Sequence, residues 1–327
     1  MSGNLTPPPE RAFPAGRLQL RKEQLVSHIH AEQQPRIVPL RRRRFALGAT
    51  ALAATACVAA AVVLFGAGGA GPSPAAAAVL RHAAQTAAQQ PATAPPASGQ
   101  FVYTKSEGSS GTTSVLADGV AINFVQRVTR EAWIGPDGSG RLREVASPGQ
   151  FAAPADRAAW IAAGKPDVLG GSSSDENFRA GGLHYVDLTG VPTDPTELRR
   201  QIEDRTVEGG PAGDAETFTI IGDLLRETYA PPGVRAALFT IASQLPGVQL
   251  VGTVKDELGR SGTAVAYVSH GVNNELIFDP QSSALLAERE LSTGDGSWAP
   301  VGTVLASISY VSSGVVDSTS DTASTNP

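Results

Sequence analysis

Between Phe45 and Phe65 the chain reads FALGATALAATACVAAAVVLF without one charged residue, and the run Arg41–Arg44 stands directly before it. About 20 apolar residues at ~1.5 Å rise each span a hydrocarbon core of roughly 30 Å. This segment, residues 45–66, is therefore expected to be a transmembrane helix. Positive residues stay on the cytoplasmic side, so residues 1–44 are expected inside and the rest outside a cell membrane crossed once. Three other readings export the same remainder. A cleaved secretory signal fits poorly, because the preceding segment is long for an n-region and the apolar run exceeds the usual 7–15 residues. A twin-arginine signal is suggested by Arg42-Arg43-Arg44-Phe45 with Leu47. A lipoprotein site would use Cys57 after Ala54-Thr55-Ala56, although the residues after it stay apolar.

The charge distribution agrees with that topology. Of 26 Lys/Arg and 31 Asp/Glu, nine basic and three acidic residues precede position 45, a net of +6; the remainder carries 17 basic and 28 acidic residues, a net of −11. A basic stub on an acidic body is a membrane-topology pattern. It also argues against nucleic acid as a ligand, since phosphate binding needs clustered Lys and Arg. Cys57 is the only cysteine, so the outer part can hold neither a disulfide framework nor a cysteine-based zinc site.

Arg17 to Glu32 can form an amphipathic helix, with Leu18, Leu25, Val26 and Ile29 near one face. It reads either as a docking helix for a cytoplasmic regulator or as a basic helix lying on anionic lipid. Residues 67–98 are an Ala/Pro-rich linker in which Ala75–Gln89 favours helix, with Val79, Leu80 and Ala83 able to seat it on the following domain.

From Gln100 the pattern is that of strands. Phe101–Thr104 and Ala121–Ile134 are followed by the turn cluster Gly135–Gly140 and a return run Arg141–Val145, a hairpin signal. Ala153–Ala163 reads as a short helix and Gly170–Asp175 as a flexible loop. Asp194-Pro195-Thr196-Glu197 starts a helix with an N-cap, Pro at N1 and Glu at N3. Two stronger helices follow, Asp214–Tyr229 and Pro232–Gln244; in the second, Val234, Leu238, Ile241 and Leu245 form an apolar stripe. A β meander over Val248–Val254, Thr263–Ser269, Glu275–Pro280, Ala284–Leu291 and Val301–Val311 completes the domain. Residues 314–327 are expected to be a disordered tail. Strands, then helices, then strands predict an α+β fold. The expected form is a curved antiparallel sheet of roughly 8–10 strands over residues 99–313, half-barrel-like, with helices packed on one side. Helices in the mouth of such a sheet would leave an apolar groove, for which Phe101, Trp133, Phe218, Leu225 and Leu238 are the candidate lining residues.

The segments Pro231–Leu238, Leu245–Val248, Gly259–Gly262 and Glu275–Pro280, with Trp133–Arg141, together resemble an actinobacterial family of uncharacterised single-pass membrane proteins, over roughly residues 75–312. The order of elements also resembles the half-barrel proteins that carry lipoproteins or regulate envelope-stress sigma factors. That resemblance implies a lipid, lipoprotein or envelope-peptide ligand outside and a cytoplasmic partner such as a sigma factor. The His and Cys spacing of a zinc-type anti-sigma protein is missing.

No sequence motif of nucleophile elbow, phosphate loop, zinc protease or dinucleotide fingerprint is present. No catalytic residue, metal ligand or cofactor is assigned. The expected function is a non-enzymatic membrane-anchored regulator or sensor with an extracytoplasmic ligand-binding domain. The alternatives are a membrane-tethered lipid or lipoprotein carrier, and an envelope hydrolase with an unrecognised site, for which substitution of His184 and His270 is the test.

Overall fold

The structure, a computed structural model, describes residues 71–92, 94–117, 119–183, 185, 187–188, 190–204, 213–226, 230–294 and 299–324. The expected membrane run, the helix over 17–32 and His184 lie outside the described residues. Among the described residues no helix is long and apolar enough to cross a membrane.

The first helix, α1 (Pro74–Ala88), begins where sequence chemistry says it should: the Ser73 side chain accepts from the Ala76 amide and Pro74 occupies the first turn. Its buried positions Ala76, Leu80, Ala83 and Ala87 repeat at helical spacing. They pack against the helical layer, and the Ser73 amide donates to the Val248 carbonyl. The Ala-rich linker thus contributes to the domain core.

Among the described residues, ten strands form one antiparallel sheet. They are β1 (Phe101–Val115), β2 (Ala121–Ile134), β3 (Gly140–Ala146), β4 (Gln150–Phe151), β5 (Ser172–Phe178), β6 (Gln249–Lys255), β7 (Ser261–Ser269), β8 (Val272–Phe278), β9 (Leu285–Ser292) and β10 (Val304–Val316). The order across the sheet is β5-β3-β2-β1-β10-β9-β8-β7-β6, with β4 on β2. The seam is β1–β10, where the last strand pairs with the first from Phe101↔Val316 onward. The sheet is open: β5 and β6 are its two edges. The expected loop at Gly170–Asp175 is corrected to the edge strand β5. Its residues Ser172–Asn177 are exposed on both faces, so no apolar alternation announced it.

Helices α3 (Pro195–Asp204), α4 (Asp214–Arg226) and α5 (Pro232–Ala242) form a layer with α1; the short α2 (Pro154–Ala162) stands apart beside β2 and β4. Asp194 caps α3 by accepting from the Glu197 amide at 2.9 Å. Leu198, Ile202, Phe218, Ile221, Val234, Leu238 and Ile241 from these helices meet Val265, Leu276 and Phe278 from β7 and β8. The tilted rings of Phe239 and Phe278 lie 5.3 Å apart, those of Phe218 and Tyr267 5.7 Å. Each fully buried Leu, Ile or Phe contributes about 1.5–3 kcal/mol, so this cluster is the main apolar core.

The alternate residues of the same strands, Ala264, Ile277 and Ala287, are buried on the other face although no helix of the layer lies there. The sheet covers them by curling. Laid flat, β7 and β1 would stand about 19 Å apart, yet Glu257 in the β6–β7 turn accepts from Ser109 of β1 at 3.0 Å and also binds Ser307 of β10. Small residues permit this: a Cβ at Gly262 would stand 2.7 Å from Ile277 Cγ2. The curl closes over the face opposite the helices, so the helices do not sit in its mouth.

Candidate functional site

On that opposite face one cross-strand row stands out. Gly314 of β10 pairs with Tyr103 of β1, Tyr103 with Trp133 of β2, and Trp133 with Arg141 of β3. Register therefore places an aromatic pair, a guanidinium and a gap side by side, because residues paired across antiparallel strands present their side chains to the same face. The Tyr103 and Trp133 rings lie 5.1 Å apart, and the Arg141 guanidinium sits 5.2 Å from the Trp133 ring centre. Arg141 is fixed by a bidentate pair with Asp175 of β5 at 2.7 and 2.6 Å. That contact pulls the Asp175 carboxyl below its ordinary range and raises Arg141. Tyr103 donates to Glu131 at 2.9 Å; burial first, then that carboxylate, push its hydroxyl up to about 12.

The row is occupied by the chain itself. Residues 317–324, expected to be disordered, fold back over it. The Trp133 indole donates to the Asp321 carbonyl at 2.6 Å and Arg141 donates to the Thr319 carbonyl at 3.2 Å. Gln100 donates to the Asp317 side chain at 2.8 Å. Ala323 packs against Tyr103, Trp133 and Val316. It uses the gap at Gly314, where an added Cβ would stand 2.9 Å from the Ala323 methyl. The segment is shaped by its own turn, in which Ser318 accepts from the Ser320 amide and donates to Asp321. Trp133 and Tyr103 are 3% and 1% exposed beneath it, whereas Asp317, Ser320, Asp321, Thr322 and Ser324 face solvent. Each of the three hydrogen bonds is worth about 1 kcal/mol net. This arrangement holds a polypeptide mainly through carbonyl oxygens and one small side chain.

The five residues expected to line one groove are not brought together. Phe218 and Leu238 are buried in the helical core at 2% and 0% exposure. Phe101 and Trp133 lie under the strap on the other face. Leu225 borders a cavity of about 70 Å³ between α4, α5, β1, β9 and β10, with Val102, Thr104, Arg226, Arg235 and Tyr310. Its buried wall is polar: Arg226 pairs with Asp223 at 2.5 Å and approaches Glu288 at 3.9 Å, and Glu288 accepts from Tyr310 at 2.6 Å. An internally compensated pair of this kind holds α4 to the sheet. No sequence pattern singles out Tyr103, Arg141 or Gly314 as site residues. The available signal was the hairpin around Gly135–Gly140, which sets Arg141 opposite Trp133.

His270 stands in the β7–β8 turn with Gly271, both at positive φ (50° and 76°), the backbone of a tight two-residue hairpin. Among the described residues no three His, Cys, Asp or Glu side chains gather as a metal site.

No family model and no curated protein matches the chain, so these comparisons do not support the actinobacterial family resemblance. Solved structures similar to it include MucB in complex with MucA(peri), MucB, and the MucA/MucB complex of Pseudomonas aeruginosa. Identities are 10%, 14% and 12%, and TM-scores 0.24, 0.26 and 0.24. The matches cover 74%, 75% and 75% of this chain and 56%, 60% and 58% of those chains. The chain thus spans less than two thirds of each. At these scores the likeness carries no argument about what this chain binds.

Proposed function

We propose that the chain is a non-enzymatic, membrane-anchored regulator or sensor whose extracytoplasmic domain binds an envelope peptide at the Tyr103–Trp133–Arg141 row and passes that state to residues 1–40. The observation that carries the ligand class is the pair of main-chain carbonyls, Thr319 and Asp321, held by Arg141 and the Trp133 indole. Recognition through carbonyl oxygens suits a polypeptide. The membrane placement rests on the uncharged run after Arg41–Arg44. The carrier reading requires room for an acyl chain. The cavity beside Leu225 is about 70 Å³, against roughly 300–1,000 Å³ for ordinary ligand pockets, so that cavity does not supply the room.

The test is a pair of alterations in cells, deletion of residues 1–35 and Arg141→Ala. If the outer row and the inner segment form one device, each gives the same phenotype and the two together add nothing. A deletion that leaves the phenotype intact while Arg141→Ala abolishes it would sink the signalling reading and return the carrier.

A further inference from the structure

We infer that residues 317–324 are an autoinhibitory strap: they fill in cis a site whose ligand in trans is a polypeptide segment offering free carbonyls and a small apolar side chain. This inference rests on the peptide-site reading above and adds its regulation and its ligand chemistry.

Four observations converge. The strap contributes to the row only groups that any polypeptide carries, the Thr319 and Asp321 carbonyls, together with one methyl, that of Ala323. The row contributes groups that favour a bound chain: an indole N–H and an aimed guanidinium whose orientation is fixed from behind by Asp175. The gap at Gly314 lets the Ala323 methyl approach β10, where a Cβ on the strand would stand 2.9 Å from it. Finally, the strap is mostly exposed while the aromatic pair below it is buried. Lifting the strap uncovers Tyr103, Trp133 and Val316 without disturbing the helical core.

A tethered segment competes at an effective concentration set by its short tether, in the millimolar range for flexible links. The apparent affinity for a ligand in trans falls by the fraction of time the site is open. The strap is therefore a threshold: weak or dilute peptides are rejected, and a good ligand displaces it.

The experiment uses the full-length chain in detergent micelles and a fluorescently labelled synthetic peptide with the sequence of residues 317–324. Strap release is produced on the strap alone, by Asp317→Ala with Ala323→Glu, which removes the Gln100 contact and overfills the gap while leaving the row intact. A red shift in tryptophan emission reports that Trp133 has been uncovered. The released protein is expected to bind the peptide at least tenfold tighter than the wild type by fluorescence polarisation. Adding Gly314→Val, whose Cβ meets only the Ala323 position, is expected to abolish that binding. Equal affinities for wild-type and red-shifted released protein, both lost with Gly314→Val, would overturn the strap and leave the peptide site standing. Binding to neither protein, or binding that survives Gly314→Val, would remove the peptide site and the strap with it.

Discussion

The sheet has two halves built by different physics. In β6–β9 buried apolar residues lie on both faces, with a buried Glu275–Arg289 pair among them: Val265, Leu276 and Phe278 meet helices, while Ala264, Ile277 and Ala287 are buried inside the curl. In β1–β3 and β5 the face opposite the helices carries Lys105, Glu131, Arg141 and Arg143 with their partners, and its buried apolar cluster is the small one under the strap. The first half is held by area removed from water, which is non-directional and large. On the face opposite the helices, the second is held by register, directional bonds and a segment that the chain folds back on itself, while Val102, Ile122, Phe124 and Ile134 are buried on its other face. Binding sites that must open belong in the second kind, because few buried contacts make local opening cheap.

The sharpest way to break this comparison is to damage the apolar half first. Phe278→Ala removes a ring that is 1% exposed and packed against Phe239. It is expected to cost roughly 3–5 kcal/mol, read as a lowered midpoint in urea. A loss under about 1 kcal/mol would show that the helical core is not what stabilises the fold.

The seam between the halves comes next. A Cβ at Gly108 would stand 2.0 Å from the Ser307 carbonyl oxygen, so Gly108→Ala must push β1 and β10 apart. Overpacking of this kind costs roughly 3 kcal/mol. Hydrogen exchange should accelerate along both strands before it does in α5. A silent Gly108→Ala would mean that the seam is loose and the halves are independent.

The third effect is pH-dependent and confined to the polar half. The Tyr103 hydroxyl stands at about 12, above its ordinary 10.0, through burial and then its bond to Glu131. The folded state holds that proton more tightly than the unfolded chain. The contribution is therefore complete below pH 10 and is lost as pH rises through 12, amounting to roughly 2–3 kcal/mol when the shift is fully expressed. Tyr103→Phe should flatten that alkaline decline relative to the wild type; an unchanged slope would show that Tyr103 is not its source.

The two halves also differ in how much the sequence discloses. The apolar stripe Val234–Leu238–Ile241–Leu245 and the cap Asp194-Pro195 foretold α5 and α3, because burial periodicity and helix capping are local signals. The strands of the meander followed for the same reason. β5 did not, since Ser172–Asn177 is exposed and is held by β3 and the Arg141–Asp175 pair, both distant in sequence. Nor did the long polar continuation of β1 from Lys105 to Val115, which is shaped by its pairing with β2 and β10. The site was half legible: Trp133 was chosen as an apolar liner, but its partner is a carbonyl 188 residues away. A low-complexity tail reads as disorder because composition reports what a segment can bury, and residues 317–324 bury little of themselves. They cover something else.

The smallest effect isolates that last point. Trp133→Phe keeps a ring against Tyr103 and deletes the N–H that donates to the Asp321 carbonyl, together with the second ring of the indole. The lost hydrogen bond contributes about 1 kcal/mol and the smaller ring adds a packing loss, so global stability should fall by roughly 1–2 kcal/mol. The local consequence should be larger than the global one. Amides of residues 317–324 should exchange faster in the variant, while those of β7 and β8 keep their wild-type protection, because the strap can open without the core. A uniform loss of protection across both halves would place Trp133 in the cooperative core and erase the division between a half that holds the fold and a half that holds a ligand.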